Sequence, residues 1–493
     1  MTETEIKQML AQGERLTLEC KKAKTELPKS VWESYSAFAN TIGGYILLGI
    51  DENRKETDVA KRFTIIGVDN IPKLISDLWN TINSNKVNRN ILLDSDVEVN
   101  TIDGKSIVCI HVPQADWRMK PVFLNENPYK GSFKRNHEGD YHCTEMEVRA
   151  MIRDANEDGN DGGLLDGFTL DDIDTNTLHG YRNQFRILNA DHEWNDKDDK
   201  EFLRLLGGYT KNRQTGKEGL TVAGLMMFGT GLAIRERFGN FRMDYLDMSH
   251  LEGEERYRDR LTYDGRWENN LYQFFRIVMP KLTFDLPHPF HMEGYQRVDD
   301  TPQMKAVREG FTNSIIHSDL FLDSGILRIE KHDDCLCLRN PGNLKLPIEN
   351  IYEGGVSKAR NPRIQNMLRM IGYGENTGSG FPKIISAWQK AGWGKPELID
   401  KYELQEVELR LPIPNETGGQ TGGQTGGQTR SPKTIEKVFE LIKDNPYITR
   451  QELVDKIGIK ASAIQKHIEK LKAQKRIERV GSSTFGGHWE IKE

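Results

Sequence analysis

The chain has 493 residues, which is too long for a single hydrophobic core and predicts several domains. A hydrophobic fraction of 37% and a charged fraction of 29% are typical of a soluble globular protein, and a net charge of −6 excludes a basic surface over the whole chain. The polar start MTETEIKQML, with no run of about eighteen apolar residues further on, favours a cytoplasmic protein over a secreted or membrane-spanning one.

Residues 1–155 are predicted to form a mixed α/β domain. Apolar and polar side chains alternate over 15–21, which indicates a strand. A helical pattern ends at Gly43-Gly44, and Asp103-Gly104 is a strong turn signal. The expected elements are a strand over 15–21, a helix over 31–42, a strand over 45–50 and a hairpin over 97–112.

Two stretches of this domain resemble the Schlafen AlbA-type family. They read ERLTLECKKA at 14–23 and FANTIGGYILLGID at 38–51. The resemblance implies an AlbA-like fold that binds nucleic acid, so we expect Lys21 to contact DNA phosphates. The wider basic surface would comprise Lys21, Lys22, Lys24, Arg118, Lys120, Lys130, Lys134 and Arg135.

The same resemblance gives a second hypothesis, a nuclease. Some relatives in the wider Schlafen family cleave RNA with three carboxylates, and Glu14, Glu19 and Asp51 stand at comparable positions. Such a set would hold a divalent metal that activates water. The structural alternative is that Glu14 is a surface residue, Glu19 pairs with Lys21 and Asp51 caps a turn.

Residues 156–285 are predicted to be a mainly helical connecting region. The region begins with the polar, glycine-rich stretch NEDGNDGGLL at 156–165 and continues with apolar residues at helical spacing. No motif in it indicates a chemistry, so we expect a packing scaffold.

Residues 286–416 are predicted to form a second α/β unit that carries four ordered motifs. In the first, a helical pattern over 304–317 places Glu309 and Asn313 on one face, because they lie four residues apart. A carboxylate and an amide in this arrangement can bind Mg²⁺ through oxygen atoms and orient a water. A solvated helix face is the alternative for this pair taken alone.

The other three motifs follow in sequence. A strand breaks at Asn340-Pro341-Gly342, where Asn340 would bond an adenine edge and Gly342 would let backbone approach a flat ligand. The motif Arg360-Asn361-Pro362 comes next. A glycine-rich stretch at 372–380 then precedes an amphipathic helix and would present N–H groups to phosphate oxygens.

Together these motifs resemble the divergent GHKL-type ATP-binding domain of bacterial transcriptional regulators. The chain reads REGFTNSIIHSD, NPG, RNP and ENTGSGF where the family pattern is approximately REALxNAxxHRD, NPG, RNP and ExxGTGI. The resemblance implies an α/β sandwich that binds ATP and Mg²⁺, with Glu309 as ATPase base and Asn313 as the residue that meets Mg²⁺.

Asn340 replaces the usual adenine-binding aspartate, and Ser318 replaces a phosphate-binding arginine. The implied ligand set is Glu309, Asn313, Asn340, Gly342, Arg360, Asn361, Thr377, Gly378, Ser379 and Gly380. A degenerate GHKL domain used only for dimerisation is the alternative.

The C-terminal region divides into a linker and a basic module. Residues 417–429 read TGGQTGGQTGGQT, which predicts a flexible tether. Residues 430–493 hold fourteen Lys and Arg against nine Asp and Glu. Helices, a capping box at Thr449 and Glu452, and two final strands resemble a winged helix-turn-helix, whose third helix would enter the DNA major groove. The expected DNA contacts are Ser462, Gln465, Lys466, Lys470 and Arg479; a protein-interaction module is the alternative.

The combined prediction is an α/β multidomain protein that binds ATP and DNA. We expect a transcriptional regulator whose nucleotide state controls conformation or dimerisation, acting as a homodimer or higher homo-oligomer without contact to a membrane. The alternative is an enzyme, namely a nucleotide-controlled, metal-dependent nuclease that could serve in phage defence. A third hypothesis is an interaction scaffold whose nucleotide site is inactive.

Overall fold

A computed structural model describes the chain at residues 1–53, 55–284, 286, 292–293, 296–297, 301–374, 380–414, 438–439, 441–443, 445, 448–457, 461–473, 476–480 and 488–492. The chain divides into a larger compact unit, Met1–Asn415, and a smaller one, Glu416–Glu493. The mixture of helices and sheets agrees with the predicted α/β class. The predicted tether at 417–429 lies outside the described residues.

The N-terminal part of the larger unit is a four-stranded sheet between two hydrophobic clusters. Its sheet has the order β1-β2-β6-β5, with β1 parallel to β2 and the remaining pairs antiparallel. The helices are α1 (Glu3–Gln12), α2 (Val31–Asn40), α3 (Val59–Arg62), α4 (Ile71–Ile82), α5 (Pro128–Gly131) and α6 (Glu145–Asp154). The strands are β1 (Leu18–Lys21), β2 (Gly44–Leu48), β3 (Ile50–Glu52), β4 (Phe63–Ile65), β5 (Val97–Ile102), β6 (Lys105–Val112), β7 (Phe133–Asn136) and β8 (Gly139–His142).

Alternation along the strands assigns each face of this sheet to its own cluster. On β2, Ile46 and Leu48 belong to the cluster that also contains α2 and α4, whereas Leu47 belongs to the cluster beneath α1. The predicted hairpin is present as β5 and β6, and Asp103 and Gly104 at its turn have φ of 49° and 73°. Positive φ at both positions is what a tight hairpin turn requires.

The second part of the larger unit is built on a six-stranded sheet of order β12-β11-β15-β16-β18-β17. Its helices are α7 (Thr175–Leu188), α8 (Asp199–Leu206), α9 (Val222–Phe228), α10 (Gly231–Arg237), α11 (Leu271–Thr283), α12 (Pro302–Ile316), α13 (Ile348–Glu353), α14 (Pro362–Met370) and α15 (Gly380–Ala391). Its strands are β9 (Tyr209–Lys211), β10 (Glu218–Leu220), β11 (Arg242–Asp247), β12 (Asp259–Leu261), β13 (Met292–Glu293), β14 (Gln296–Arg297), β15 (Ile326–Lys331), β16 (Cys335–Pro341), β17 (Glu397–Lys401) and β18 (Glu406–Pro412).

This sheet begins upstream of the boundary that the sequence placed at residue 286. β11 lies inside the region expected to be a helical scaffold, yet it pairs in parallel with β15 over Arg242–Asp247. One hydrophobic core runs from Leu165 to Leu411, so the helical region and the second sheet share their packing. Periodicity along the chain does not reveal such a pairing, because its two strands are far apart in sequence.

Helix α12 lies directly against the sheet. Thr301 caps its N-terminus by accepting a hydrogen bond from the Met304 N–H, and Pro302 occupies its first turn. At Gly310 an added Cβ would lie 3.0 Å from Leu409 Cδ2 and 3.1 Å from Leu338 Cδ1. This close approach fixes the height of α12 above β16 and β18.

Two ion pairs join α6 to the second part of the larger unit. Arg153 Nη2 donates to Asp319 Oδ2 at 2.7 Å. Asp154 accepts two hydrogen bonds of 2.7 Å from Arg360, through Nε and Nη2. Arg360 is 2% exposed, so the N-terminal part supplies the carboxylate for a cation buried in the second part.

The smaller unit has its own hydrophobic core. Its described elements are helical residues at 438–439 and 441–443, helices Arg450–Ile457 and Ala461–Ala473, and the antiparallel strands β19 (Ile477–Val480) and β20 (His488–Ile491). The predicted capping box is present, because Thr449 Oγ1 accepts from Glu452 N–H at 3.2 Å and Glu452 Oε2 accepts from Thr449 N–H at 2.7 Å. Across the described residues of the chain, no helix is long and apolar enough to cross a bilayer.

Candidate functional site

A cleft in the larger unit lies between α12, the strands β16 and β18, and the segment 343–358. Its volume is about 980 Å³, including space that opens to solvent. The polar side chains along it include those of Glu309, Asn313, His317, Asn340, Lys345 and Lys358.

The structure brings Glu309 and Asn313 together at this cleft. They lie one turn apart on α12, and Asn313 Nδ2 is 3.3 Å from Glu309 Oε1. At the start of α15, a Cβ added to Gly380 would lie 2.2 Å from Glu309 Oε1. Glycine at 380 therefore leaves the room that the Glu309 carboxylate occupies, and the end of the glycine-rich stretch meets the predicted Mg²⁺-binding pair.

Asn340 reaches the cleft from the sheet. It lies near the end of β16, is 6% exposed, and its Nδ2 lies 3.4 Å from the carbonyl oxygen of Pro341. An apolar wall lies nearby, and a flat aromatic ligand needs such a wall. The apolar lining residues include Leu344, Leu346, Ile351, Phe381, Leu398 and Leu409. The predicted ligands Thr377, Gly378 and Ser379 lie outside the described residues.

Arg360 was expected to bind the nucleotide, but its donors are used within the protein. Besides the two bonds to Asp154, Nη2 donates to the carbonyl of Asn343 at 2.9 Å and Nη1 donates to the carbonyl of His317. Asp154 also raises the pKa of the Arg360 guanidinium, which offsets the effect of burial. Arg360 therefore closes the floor of the cleft as a paired structural cation.

Asn361 and Gly342 also differ from their predicted roles. Asn361 is fully buried and donates from Nδ2 to the carbonyl of Ser318 at 2.8 Å, so it does not line the cleft. Gly342 has a φ of 99°, and a Cβ there would lie 2.7 Å from Arg360 Nη1. The glycine accommodates the Arg360 guanidinium rather than a flat ligand.

The end of α12 provides no cation for an anionic ligand. Burial, together with nearby Arg360 and Lys345, lowers the pKa of His317 to about 4, so its imidazole is neutral at pH 7. Ser318 is fully buried and donates from Oγ to the carbonyl of Ser314. Besides the paired Arg360, the cations that line the cleft are Lys345 and Lys358, which no motif indicated.

The three carboxylates of the nuclease hypothesis do not form one cluster. Glu14 is 7% exposed, so it is not a surface residue, and Glu14 Oε1 accepts from the Cys20 N–H at 2.7 Å. Glu19 pairs with Lys21 at 2.6 Å, whereas the Asp51 carboxylate lies 3.2 Å from Lys22 Nζ. Within the described ranges, no group of three His, Cys, Asp or Glu side chains could hold a metal ion.

The acid that accompanies Glu14 and Glu19 is Glu52 on β3, not Asp51. Burial first, and then repulsion from Glu19 and Glu52, raise the pKa of Glu14 to about 7. Side chains alternate along a strand, so Glu52 faces these acids and Asp51 faces away from them.

Replacing Glu14 with glutamine should stabilise the larger unit at alkaline pH. The folded-state pKa of Glu14 lies above the unfolded value of 4.5. The protonated carboxyl therefore makes its full contribution to the free energy of unfolding below pH 4.5, and this contribution is lost as pH rises through about 7. Glutamine keeps the oxygen that accepts from Cys20. We expect Glu14→Gln to raise the free energy of unfolding by on the order of 2 kcal/mol at pH 8 and hardly at pH 4.5. Urea denaturation between pH 4.5 and pH 8 measures this gain in the free energy of unfolding. A gain that does not depend on pH would contradict the raised pKa of Glu14.

Half of the predicted basic surface of the N-terminal part is partly or fully buried, whereas Lys22, Lys24, Arg118 and Lys130 are exposed. Lys21 pairs with Glu19 and Lys134 with Glu147, each at 2.6 Å. Lys120 Nζ donates to the carbonyl of Asn40 at 2.8 Å, and burial lowers the pKa of Lys120 to about 8. Arg135 has a side chain that is 0% exposed, and the exposed residues Arg118 and Lys22 pair with Asp116 and Asp51. Lys21, the expected phosphate contact, would have to leave Glu19 to reach a phosphate.

The predicted DNA contacts of the smaller unit are only partly described. On helix Ala461–Ala473, Lys470 is exposed and Gln465 Nε2 donates to Glu469 Oε1 at 2.8 Å. The side chains of Ser462, Lys466 and Arg479 lie outside the described set. Gln465 would have to leave Glu469 to read a base.

Two solved structures are similar to the chain. The crystal structure of the DIP2311 protein from Corynebacterium diphtheriae has 14% identity and a TM-score of 0.40, over 97% of this chain and 95% of that one. The N-terminal domain of a putative ATP-dependent DNA helicase RecG-related protein from Nitrosomonas europaea has 24% identity and a TM-score of 0.21, over 29% of this chain and 94% of that one. No curated protein matches the chain at a significant level.

Four family models match successive segments of the chain. "Schlafen, AlbA_2" matches residues 14–144, and a domain of unknown function, DUF8451, matches 149–244. "Putative ATP-dependent DNA helicase recG C-terminal", a HATPase_c_4 model, matches 326–409, and "Winged helix-turn-helix DNA-binding" matches 432–478. The chain therefore carries a Schlafen AlbA_2 domain, a HATPase_c_4 domain and a winged helix-turn-helix, in the predicted order.

Proposed function

We propose that the chain is an ATP-binding and DNA-binding transcriptional regulator whose nucleotide state controls its conformation or dimerisation. The observation that carries the proposal is the convergence of Glu309, Asn313, Asn340 and Gly380 on one cleft. These residues come from a helix, a strand and a glycine-rich stretch that are separated in sequence. The match of 326–409 to a HATPase_c_4 model supports the same ligand class.

The cleft offers separate surroundings for the components of Mg²⁺-ATP. The Asn313 amide oxygen is the atom we assign to Mg²⁺, with the Glu309 carboxylate beside it, because Mg²⁺ prefers oxygen ligands. The ion would neutralise phosphate charge when bound. Asn340 and the apolar wall would hold the adenine, and the Asn340 amide can accept a hydrogen bond where the family uses an aspartate.

The DNA-binding half of the proposal rests on the smaller unit. Residues 432–478 match a winged helix-turn-helix model, and residues 430–493 carry fourteen basic against nine acidic residues. Lys470 is exposed on the helix Ala461–Ala473, which corresponds to the helix that enters the major groove in such domains. A dimer of the chain would present two such helices to two half-sites.

The nuclease alternative has less support. Glu19 is bound by Lys21 and Arg135, and Asp51 is bound by Lys22, so a metal would have to displace these cations. The proposal therefore places regulation ahead of cleavage, and it predicts that ATP changes how the chain binds DNA.

The proposal is tested with Asn313→Ala in the full chain. We expect ATP with Mg²⁺ at millimolar concentration to raise the Tm of the wild type by about 2 to 5 °C, since a ligand that binds only the folded state stabilises it. ATP should also shift the affinity for a fluorescent DNA duplex, measured by anisotropy at fixed salt. Asn313→Ala should lose both ATP effects and keep the nucleotide-free DNA affinity.

Asn80→Ala is the matched control, because Asn80 is an exposed helical asparagine on α4. It should respond to ATP as the wild type does. An unchanged Tm of the wild type with ATP and Mg²⁺ would remove the nucleotide half of the proposal. Metal-dependent cleavage of RNA that disappears in Glu19→Ala would favour the nuclease instead.

A further inference from the structure

A tryptophan of the N-terminal part lies beside the cleft of the second part. Trp117 is 8% exposed and belongs to a short helical turn, Trp117–Met119. Lys345 Nζ lies 4.1 Å from the centre of its ring, and Lys358 Nζ lies 5.2 Å from it. Ammonium groups at these distances are attracted by the electrons of an indole ring. The ring therefore holds both lysines where they line the cleft.

Neither of these two ammonium groups forms an ion pair with a carboxylate among the residues that the structure describes. Within the same residues, Lys358 Nζ donates to the carbonyl of Glu157 at 3.3 Å, and Lys345 has no hydrogen bond. Arg360, the nearby third cation, already has Asp154 as its partner. Burial lowers the pKa of Lys345 to about 8; attraction to Asp154 opposes this shift, and repulsion from Arg360 and Lys358 adds to it. An anion between the two ammonium groups would relieve this repulsion.

We propose that Lys345 and Lys358 bind the phosphate groups of the nucleotide and that Trp117 positions them. This inference rests on the proposed ATP site and names residues for its phosphate end. The need for such residues follows from the site itself, because His317 is neutral and Ser318 stands where the family pattern has an arginine. Polyphosphate is the anion class that suits two adjacent ammonium groups beside an Mg²⁺-binding pair.

With the lysines in this role, the N-terminal domain contacts the nucleotide site through them, although the residues that line the cleft all lie between 309 and 409. Lys345 also lines a second cleft, of about 1160 Å³ including space that opens to solvent, to which Trp117 and Lys120 of the N-terminal part contribute. A ligand that draws Lys345 and Lys358 towards its phosphates changes their contact with Trp117. The phosphate groups, rather than the adenine, would then transmit the nucleotide state to the AlbA_2 domain.

The test compares ATP with adenosine in the full-length protein. We expect the double variant Lys345→Met and Lys358→Met to weaken ATP binding by about tenfold to a hundredfold, because two charge-assisted contacts are lost. Adenosine affinity should stay within about twofold, because adenosine has no phosphate for the lysines to bind. Lys73→Met, at an exposed lysine of α4, is the control and should bind both ligands as the wild type does.

Trp117 is tested by rescue. Trp117→Leu should weaken ATP binding by about threefold to tenfold and leave adenosine binding unchanged, whereas Trp117→Phe should recover most of the ATP affinity because it restores an aromatic face. A variant that lowers adenosine and ATP affinity equally acts through the shape of the pocket and overturns the inference. Wild-type ATP affinity in the double lysine variant overturns it while the ATP site stands. Failure of the wild type to bind either ligand overturns the ATP site as well.

Discussion

Replacing Asp154 with alanine is expected to lower the free energy of unfolding of the larger unit by about 3 to 5 kcal/mol. Arg360 is 2% exposed and Asp154 is its carboxylate partner, so the variant leaves a buried guanidinium without a counter-charge. Alanine also removes the acceptor of two hydrogen bonds. Urea denaturation of the full chain, followed by tryptophan fluorescence, measures the loss as a lower midpoint of the larger unit's transition.

The controls for Asp154→Ala separate a buried pair from an exposed one. Glu201→Ala removes the carboxylate of the exposed pair with Arg204 and should leave the urea midpoint close to that of the wild type, because solvent screens such a pair. Combining Asp154→Leu with Arg360→Met removes both charges and should recover most of the stability. A midpoint for Asp154→Ala equal to that of Glu201→Ala would show that the buried cation does not depend on Asp154.

The sequence predicted those features that depend on neighbouring residues. The turn at Asp103-Gly104 and the capping box at Thr449 are both present, because their hydrogen bonds close within a few residues. The helix that follows the glycine-rich stretch is present as α15, with Ile384 and Trp388 fully buried as its periodicity indicated. The pair Glu309 and Asn313 belongs to the same class, since helical spacing alone places both side chains on one face.

Several charged side chains that the sequence analysis assigned to ligands have partners within the protein, and some of these partners are distant in sequence. Arg360 looked like a nucleotide ligand because its partner Asp154 lies 206 residues away. A group of lysines and arginines suggests a basic surface, because a single sequence does not show which aspartates and glutamates form ion pairs with them. Lys345 and Lys358 were missed for the same reason, because their common neighbour Trp117 belongs to another domain.

Asp51 was predicted to lie with Glu14 and Glu19 because the sequence does not show which face of a strand each residue occupies. The sequence indicates a strand and a turn near this residue, but a shift of one residue exchanges the faces of the strand. In the structure Glu52 faces Glu14, and Asp51 faces Lys22. Acids near the end of a strand therefore suggest a metal site only once the register is known.

Contacts between the N-terminal part and the second part converge on the proposed nucleotide site. Arg153 pairs with Asp319 just after the predicted Mg²⁺-binding helix, and Asp154 holds Arg360 beneath the cleft. The Trp117 ring contacts Lys345 and Lys358, which line the cleft. A change at the cleft would meet the N-terminal part at three places, which favours control of the AlbA_2 domain by nucleotide over two independent functions.

Replacing Arg135 with methionine should be the most damaging change in the AlbA_2 domain. The side chain is 0% exposed, and its Nη1 bonds Glu19 Oε2 at 2.6 Å and Asp140 Oδ1 at 2.9 Å. Its Nη2 donates to the carbonyls of Arg15 and Leu18. Methionine fills similar space but leaves two enclosed carboxylates without this cation, so we expect a loss of about 3 to 5 kcal/mol in the free energy of unfolding.

Lys130→Met is the matched control for Arg135→Met, because both residues were predicted to belong to one DNA-binding surface and Lys130 is exposed. Its effect on the free energy of unfolding should stay within about 0.5 kcal/mol. Anisotropy with a DNA duplex over a range of salt concentrations adds a second measurement. A residue that contacts a phosphate changes the salt dependence by about one unit when it is lost. If Arg135→Met keeps the wild-type urea midpoint and lowers this salt dependence, Arg135 contacts DNA and is not the internal partner of Glu19.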